Sequence, residues 1–282
     1  MSESIKYQVQ NINNLPTLPV IAQQILNITN ESTLSIDKLR NIVGKDPAIM
    51  AKILSVANSA FFRSAVRTTN LNDAMMRIGL NNIKNIAIGL SVLALLTDRK
   101  KTSNYSRLYN HAVFVGFTSR SIARTLRMSI SEDILIEGLL HDLGYLVLNK
   151  YFPDIYNQIL KNREYNKSVL DAEREIIHHT HADIGFWLAE KWNLPDTILD
   201  STLYHHTPSL TKRNEKNIGI VHIADYITSK NIYSPFKEDP EYSLDRSSLD
   251  ILKISESDLK DIELSECNIH NTIHSDESRA KY

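Results

Sequence analysis

Seven of the ten histidines in this 282-residue chain fall between His141 and His222, and carboxylates accompany them. Asp142 follows His141 directly, His206 follows His205, and Asp225 lies three residues after His222, one helical turn along the same face. Neutral imidazole nitrogens combined with carboxylates suit borderline or hard divalent ions such as iron, manganese or zinc, and one aspartate can bridge two ions through its two oxygens. Adjacent His-Asp and His-His pairs on helices can both face one cavity only if the helix is packed inside a bundle, which matches the apolar residues flanking each pair. A lone buried histidine is usually a satisfied core residue, and His111 or His222 taken singly would read that way. His178 and His179 read as solvent-facing or locally packed, and they stay outside the candidate site.

The elements that must position these residues are helical. No Asn-Gly or Asp-Gly turn separates alternating apolar runs, and glycine is rare at 8 residues. Val20, Ile21, Ile25 and Ile28 repeat at helical spacing, as do Ile49, Ile53, Leu54 and Ala57 after Asp46-Pro47, where Asp46 suits an N-cap and Pro47 a first turn. Ser129 with Glu132 predicts a capping box for a helix carrying Ile134 to Val147. One helix is expected over Ser168 to Trp192, a shorter one from Pro195 to about His206, and a last strong one over Ile218 to Ser229. The polar stretch 97–106 reads as a joint between two lobes. Pro235 and Pro240 begin an extension, with one or two short helices over Leu249 to Leu264 and a frayed or disordered end from Ser265 to Tyr282.

A hydrophobic content of 42% is enough for a core without a disulfide scaffold. The formal charge of -1, from 32 basic and 33 acidic residues, gives no overall field favouring nucleic acid or an acidic membrane. Arg99, Lys100 and Lys101 then read as a solvated helix end. Cys267 is the only cysteine, which suits a reducing compartment, and the N-terminus lacks the apolar core of a signal peptide, so the cytoplasm is expected. The longest apolar run, Ile86 to Leu96, is interrupted by Gly89 and Ser91 and is too short for a bilayer that needs about 20 residues. It reads as a buried core helix, and no membrane partner is expected.

Five separate segments, in order, resemble the HD metal-dependent phosphohydrolase superfamily: Leu108-Tyr109-Asn110-His111; Gly138-Leu139-Leu140-His141-Asp142-Leu143-Gly144; His181-Ala182-Asp183-Ile184-Gly185, ending in Trp192-Asn193-Leu194-Pro195; His205-His206; and Val221-His222-Ile223-Ala224-Asp225. Upstream, Leu15-Pro16-Thr17-Leu18-Pro19, Asp46-Pro47-Ala48, Leu54 to Phe62, and Asp73-Ala74 with Ile78-Gly79-Leu80 resemble the regulatory HDOD branch of that superfamily. The resemblance implies an all-α chain, an HD-domain-like helical bundle at 104–230 packed against an N-terminal helical lobe at 11–98, together an HDOD domain over 11–230. Residues 231–282 form an extension that it does not explain.

Carried over position by position, the resemblance makes His111, His141, Asp142 and Asp225 one set of metal ligands, with Asp142 bridging. His181, His205 and His206 match the histidines that hold a second ion in dinuclear relatives. One or two divalent ions are expected, iron or manganese rather than zinc because no thiolate is present. Such ions would lower the pKa of water and neutralise phosphate charge, so the set is compatible with hydrolysis. If the chain is active, Asp142 belongs to the catalytic centre.

Two departures weigh against assuming that activity. The related cyclic di-GMP phosphodiesterases carry a Gly-Tyr-Pro-type loop after the paired histidines, where this chain has Thr207-Pro208-Ser209-Leu210-Thr211-Lys212. They also tend to have Lys after His-Asp-x-Gly, where this chain has Tyr145. Arg107 stands where a third metal would call for an acidic residue. The expectation is therefore a bacterial-type signalling or regulatory protein that acts through a separate signalling partner. The alternative is a phosphohydrolase acting on a nucleotide or another phosphorylated small molecule.

Overall fold

In a computed structural model, residues 5–10, 12, 17–29, 35–58, 62, 66–96, 103–128, 133–162, 168–232, 234 and 243–279 are described, and among them every regular element is helical with no strand. The chain starts with α1 (Ile5–Gln10), which the periodicity did not announce. Lys191 Nζ donates to Gln10 O at 2.8 Å and so ties this helix to the second half of the chain. α2 (Val20–Thr29), α3 (Ile36–Val43) and α4 (Pro47–Ala57) follow. Asp46 caps α4, accepting from the Ala48 and Ile49 N–H groups at 2.9 and 3.0 Å, with Pro47 in the first turn. α5 (Leu71–Ile78) is capped by Asn70, and Gly79 at φ 90 turns the chain by 111° into α6 (Leu80–Leu96). α6 is apolar nearly all round and buried from Asn85 to Leu93, as a core helix must be. No single helix among the described residues is long and apolar enough to cross a membrane.

The second half contains α7 (Ser103–Thr125), α8 (Ile134–Leu140), α9 (Leu143–Tyr151), α10 (Pro153–Asn162), α11 (Val169–Ile177), α12 (His181–Lys191), α13 (Asp196–Tyr204) and α14 (Glu215–Ile227). α14 runs on into a π-helical turn at Thr228–Ile232, and α15 (Ser247–Leu252) and α16 (Glu256–Arg279) complete the chain. One apolar core joins residues from both halves, including Ile25, Ile53, Ile86, Leu93, Leu139 and Leu188. A second core packs Val115 and Ile122 of α7 against Ile220, Ile223, Leu252 and Ile262.

Three helices differ from the sequence expectation, each for a local reason. The helix expected over Ile134 to Val147 is two, α8 and α9, broken at His141-Asp142, where Asp142 leaves helical geometry at φ -95, ψ 24. The Ser129–Glu132 capping box lies outside the described residues, as do Thr97–Thr102 of the expected joint. The helix expected over Ser168 to Trp192 is also two. His178 takes a left-handed φ of 58 and ends α11, and the Thr180 N–H donates to Asp183 Oδ2 at 2.8 Å to start α12. The C-terminal helix does not stop near Leu264 but continues to Arg279. Ser255 and Asp258 cap its start, and Leu259, Ile262 and Glu266 bury one face, so packing outweighs the polar composition.

α9 and α12 approach as closely as their backbones allow. A Cβ at Gly144 would lie 1.9 Å from His181 O and 2.9 Å from Gly185 N, so glycine is required there by contact rather than by φ. Gly144→Ala is expected to cost about 3 kcal/mol of stability, and to displace His181, because the obstructing atoms are backbone. A denaturant midpoint equal to that of the unsubstituted chain would contradict this.

Candidate metal centre

Consecutive side chains on an uninterrupted helix point about 100° apart, so a His-Asp pair within one helix could not aim both groups at a single point. The chain resolves this by breaking the helix at each pair. His141 and Asp142 occupy the gap between α8 and α9, and His205 and His206 lie just past the end of α13, so the breaks, not the helices themselves, place both pairs. His111 comes from the middle of α7, His181 from the first position of α12, and Asp225 from α14. All seven expected residues meet in one buried cluster.

Asp142 lies at its centre, with one oxygen toward each half. Its Oδ2 is 3.3 Å from His141 Nε2 and 3.6 Å from His111 Nε2, and Asp225 Oδ1 is 3.0 and 3.7 Å from those of His111 and His141. Its Oδ1 is 3.3 Å from His181 Nε2 and 3.5 Å from His205 Nε2. His181 Nε2 is in turn 3.2 Å from His205 Nε2 and 3.0 Å from His206 Nε2. His111, His141, His181 and His205 are 0% exposed, whereas His206 is half-buried and marks the open side.

Hydrogen bonds behind the rings fix which nitrogen faces inward. The Nδ1 of His141 meets Gly138 O at 2.8 Å, that of His205 meets Thr202 O at 2.9 Å, and that of His181 meets both Glu173 oxygens at 3.0 Å. Each Nδ1 therefore carries a proton, and the Nε2 atoms converge. His222 is different. Its Nδ1 donates to His205 O at 2.6 Å and its Nε2 accepts from the Asp245 N–H at 2.8 Å, so both nitrogens are used in holding α14 to the paired histidines and to the C-terminal extension.

Burial opposes every charge here, and the local partners decide the balance. Burial pushes the Asp142 and Asp225 carboxyls up, but His141 outweighs it and holds both well below the usual range. Burial likewise disfavours a charged His141, yet Asp142 and Asp225 raise it well above the ordinary value. His181 rises to about 9 against burial because Glu173 and Asp142 face it. Burial keeps His205 and His206 low, reinforced at His206 by the charges of His205 and His181.

These residues fit divalent ions. His141 Nε2 and Asp142 Oδ1 are buried with no hydrogen bond of acceptable geometry. The ligand atoms form three overlapping groups among the described residues, His111, His141 and Asp142 in one, Asp142, His181, His205 and His206 in the second, and His141, His205 and Asp225 in the third, each within 4.8 Å. Ligands about 2.1 Å from a shared ion and at right angles to one another lie about 3.0 Å apart, close to the spacings found. The buried His/Asp groups could therefore hold a metal ion.

The sequence reasoning missed two buried acids that support the centre. Glu173 shares the buried face of α11 with Val169 and Ile177 and accepts from both the backbone and the ring of His181. Glu137, one turn before His141, is bonded to Ser201 and Asn217. The available signal was a carboxylate on an otherwise apolar stripe.

Comparison with known proteins agrees with this architecture. A crystal structure of an HDOD domain protein of unknown function from Geobacter sulfurreducens superposes with a TM-score of 0.75 at 22% identity, covering 98% of this chain and 95% of that one. A protein from Marinobacter aquaeolei VT8, provisionally named for signal transduction, gives 0.72 at 20% identity over 98% of this chain and 61% of its own. One from Shewanella amazonensis SB2B, provisionally named a phosphohydrolase, gives 0.73 at 19% identity over 95% of each chain. At these identities the likeness is one of fold. An uncharacterized protein from Treponema pallidum (strain Nichols) is 27% identical over 201 residues, which is 69% of this chain and 38% of that protein, so this chain spans well under half the length of that relative. The sequence pattern of the HDOD domain matches residues 15–208, and with the helical architecture around the His/Asp cluster it establishes that the chain belongs to the HDOD domain family.

Proposed function

We propose that this chain is a signalling module whose HD-type centre holds one or two divalent ions as a structural or sensory element, acting through a separate signalling protein. The observation that carries the reading is Tyr145. Its ring is buried and stacks on His181 at 3.8 Å between centroids and 18° between planes. This is the position where the resembling phosphodiesterases tend to carry a phosphate-binding lysine, and here it caps a ligand with an aromatic face. The segment after the paired histidines folds into a tight 3₁₀ turn, Pro208–Leu210, in place of the Gly-Tyr-Pro-type loop. Iron or manganese is favoured over zinc, since the donors are imidazole and carboxylate without thiolate. Arg107, a turn before His111 on α7, supports a ceiling of two ions.

The competing reading is a phosphohydrolase acting on a nucleotide or another phosphate ester. Bound ions would supply Lewis acidity and a nucleophile from water, and the half-buried His206 marks the side from which an ester would approach. Metal-supplemented protein should show no turnover of nucleotides, cyclic dinucleotides or generic phosphate esters, and partner binding should survive in a folded His205→Ala, His206→Ala variant. Turnover in the unsubstituted chain that disappears in the variant would establish the enzyme and reject the signalling module.

A further inference from the structure

A cavity of about 430 Å³ opens between the C-terminal half of α7 and α16, and Arg120, Arg124 and Arg127 converge on it, with Ser121, Thr125 and Ile269 completing the wall. Arg120 lies nine residues beyond His111 on α7, about 13 Å along the helix axis, so the cavity is separate from the metal centre. Its size falls in the range that small-molecule ligands occupy.

Cations near a helix C-terminus are ordinarily explained by the helix dipole. That accounts for Arg124 but not for Arg120, which is half-buried with its guanidinium 4.8 Å from the centre of the Phe62 ring and Arg124 one turn further on the same face. Like charges at this spacing repel. Burial, then Arg124, lowers the Arg120 pKa to about 10. Among the described residues no carboxylate lies within 4.0 Å of any of the three guanidinium groups. Glu266 packs beside the cavity, its Oε1 accepting from Ser121 Oγ at 2.6 Å, but burial raises its pKa to about 7, so it does not supply a full counter-charge.

Arg127 lies just past the end of α7. Its φ of 49 is left-handed, in a helix ending where the Met128 N–H donates to Ala123 O at 3.2 Å. Glycine is the usual residue at that position, and any other incurs backbone strain.

We infer that this cavity binds a phosphate-bearing small molecule, its anionic group held by Arg120, Arg124 and Arg127. Guanidinium forks match phosphate oxygens in pairs, and the anion relieves the repulsion between the arginines. The inference is independent of the metal-centre reading. Titration calorimetry of the full chain with pyrophosphate, after chelator treatment and again with manganese, tests it. Pyrophosphate should bind in both conditions, with affinity unchanged in His205→Ala, His206→Ala and reduced about tenfold or more in Arg120→Gln, Arg124→Gln. Arg127→Gly should bind more weakly while melting at or above the temperature of the unsubstituted chain, which separates lost binding from lost folding. No pyrophosphate binding by the unsubstituted chain, or equal binding in the arginine double variant, would overturn the inference. So would binding that requires manganese and vanishes in the histidine variant, which would place the phosphate at the metal centre instead.

Discussion

Asp142→Ala should strip the centre of all bound metal, whereas His205→Ala, His206→Ala should leave one ion in place. The difference follows from the two oxygens of Asp142, which face His111 and His141 on one side and His181 and His205 on the other, at 3.3 to 3.6 Å. Removing the paired histidines spares the first group, because His111, His141, Asp225 and Asp142 Oδ2 stay together. Asp142→Asn is the control for folding. It keeps the volume and one oxygen but loses the negative charge and the second coordinating oxygen, so it should hold less metal than the unsubstituted chain while remaining folded. Elemental analysis of protein purified without chelator reads the ratio directly. Manganese added to stripped protein at about a thousand times its dissociation constant should stabilise the unsubstituted chain by roughly 4 kcal/mol and Asp142→Ala not at all. Equal metal content in the unsubstituted chain, His141→Ala and Asp142→Ala would mean that any bound ions lie elsewhere.

The sequence was most legible where chemistry constrains residue type. The seven candidate ligands could be named because their order resembles that of the HD superfamily, and the capped starts at Asp46 and Ser168 followed from side chains that can accept a backbone N–H. The breaks at His141-Asp142 and at His178 were not legible. Both interrupt runs at helical spacing with no glycine or proline at the break, and tertiary packing overrides local preference there. Those same breaks aim the candidate ligands, so the fold departs from helical periodicity at the candidate site itself. Glu173 and Glu137 were passed over for the converse reason. Spacing alone places them in the core, and only the polar partners brought from distant segments explain why a carboxylate is tolerated.

Glu137 should make the protein lose stability as pH rises, and Glu137→Gln should remove that loss. The side chain is fully buried, and burial pushes its pKa from the ordinary 4.5 up to about 8 against the bonds from Asn217 and Ser201. A protonated carboxyl fits the partners present. Ser201 Oγ has one hydrogen and lies within reach of both Thr197 O at 2.9 Å and Glu137 Oε2 at 3.0 Å. If it donates to Thr197 O, Glu137 must donate to it, while Glu137 Oε1 accepts from Asn217 Nδ2 at 2.8 Å. Between pH 4.5 and 8 the unfolded chain has released a proton that the folded chain keeps, so the contribution of Glu137 is complete below 4.5 and is lost as pH rises toward 8. The slope from one such group is at most about 1.4 kcal/mol per pH unit. A glutamine amide can make the same two bonds, donating to Ser201 and accepting from Asn217, without titrating. Urea midpoints measured at equal metal loading should therefore show Glu137→Gln gaining on the unsubstituted chain by roughly 2 kcal/mol between pH 6 and 8. Parallel pH curves for the two proteins would show that Glu137 is ionised throughout. The consequence reaches the candidate metal centre, because the Ser201 that Glu137 holds also offers its carbonyl to His205 Nδ1 at 3.2 Å, so ionising the buried acid should disturb the segment that orients this candidate ligand.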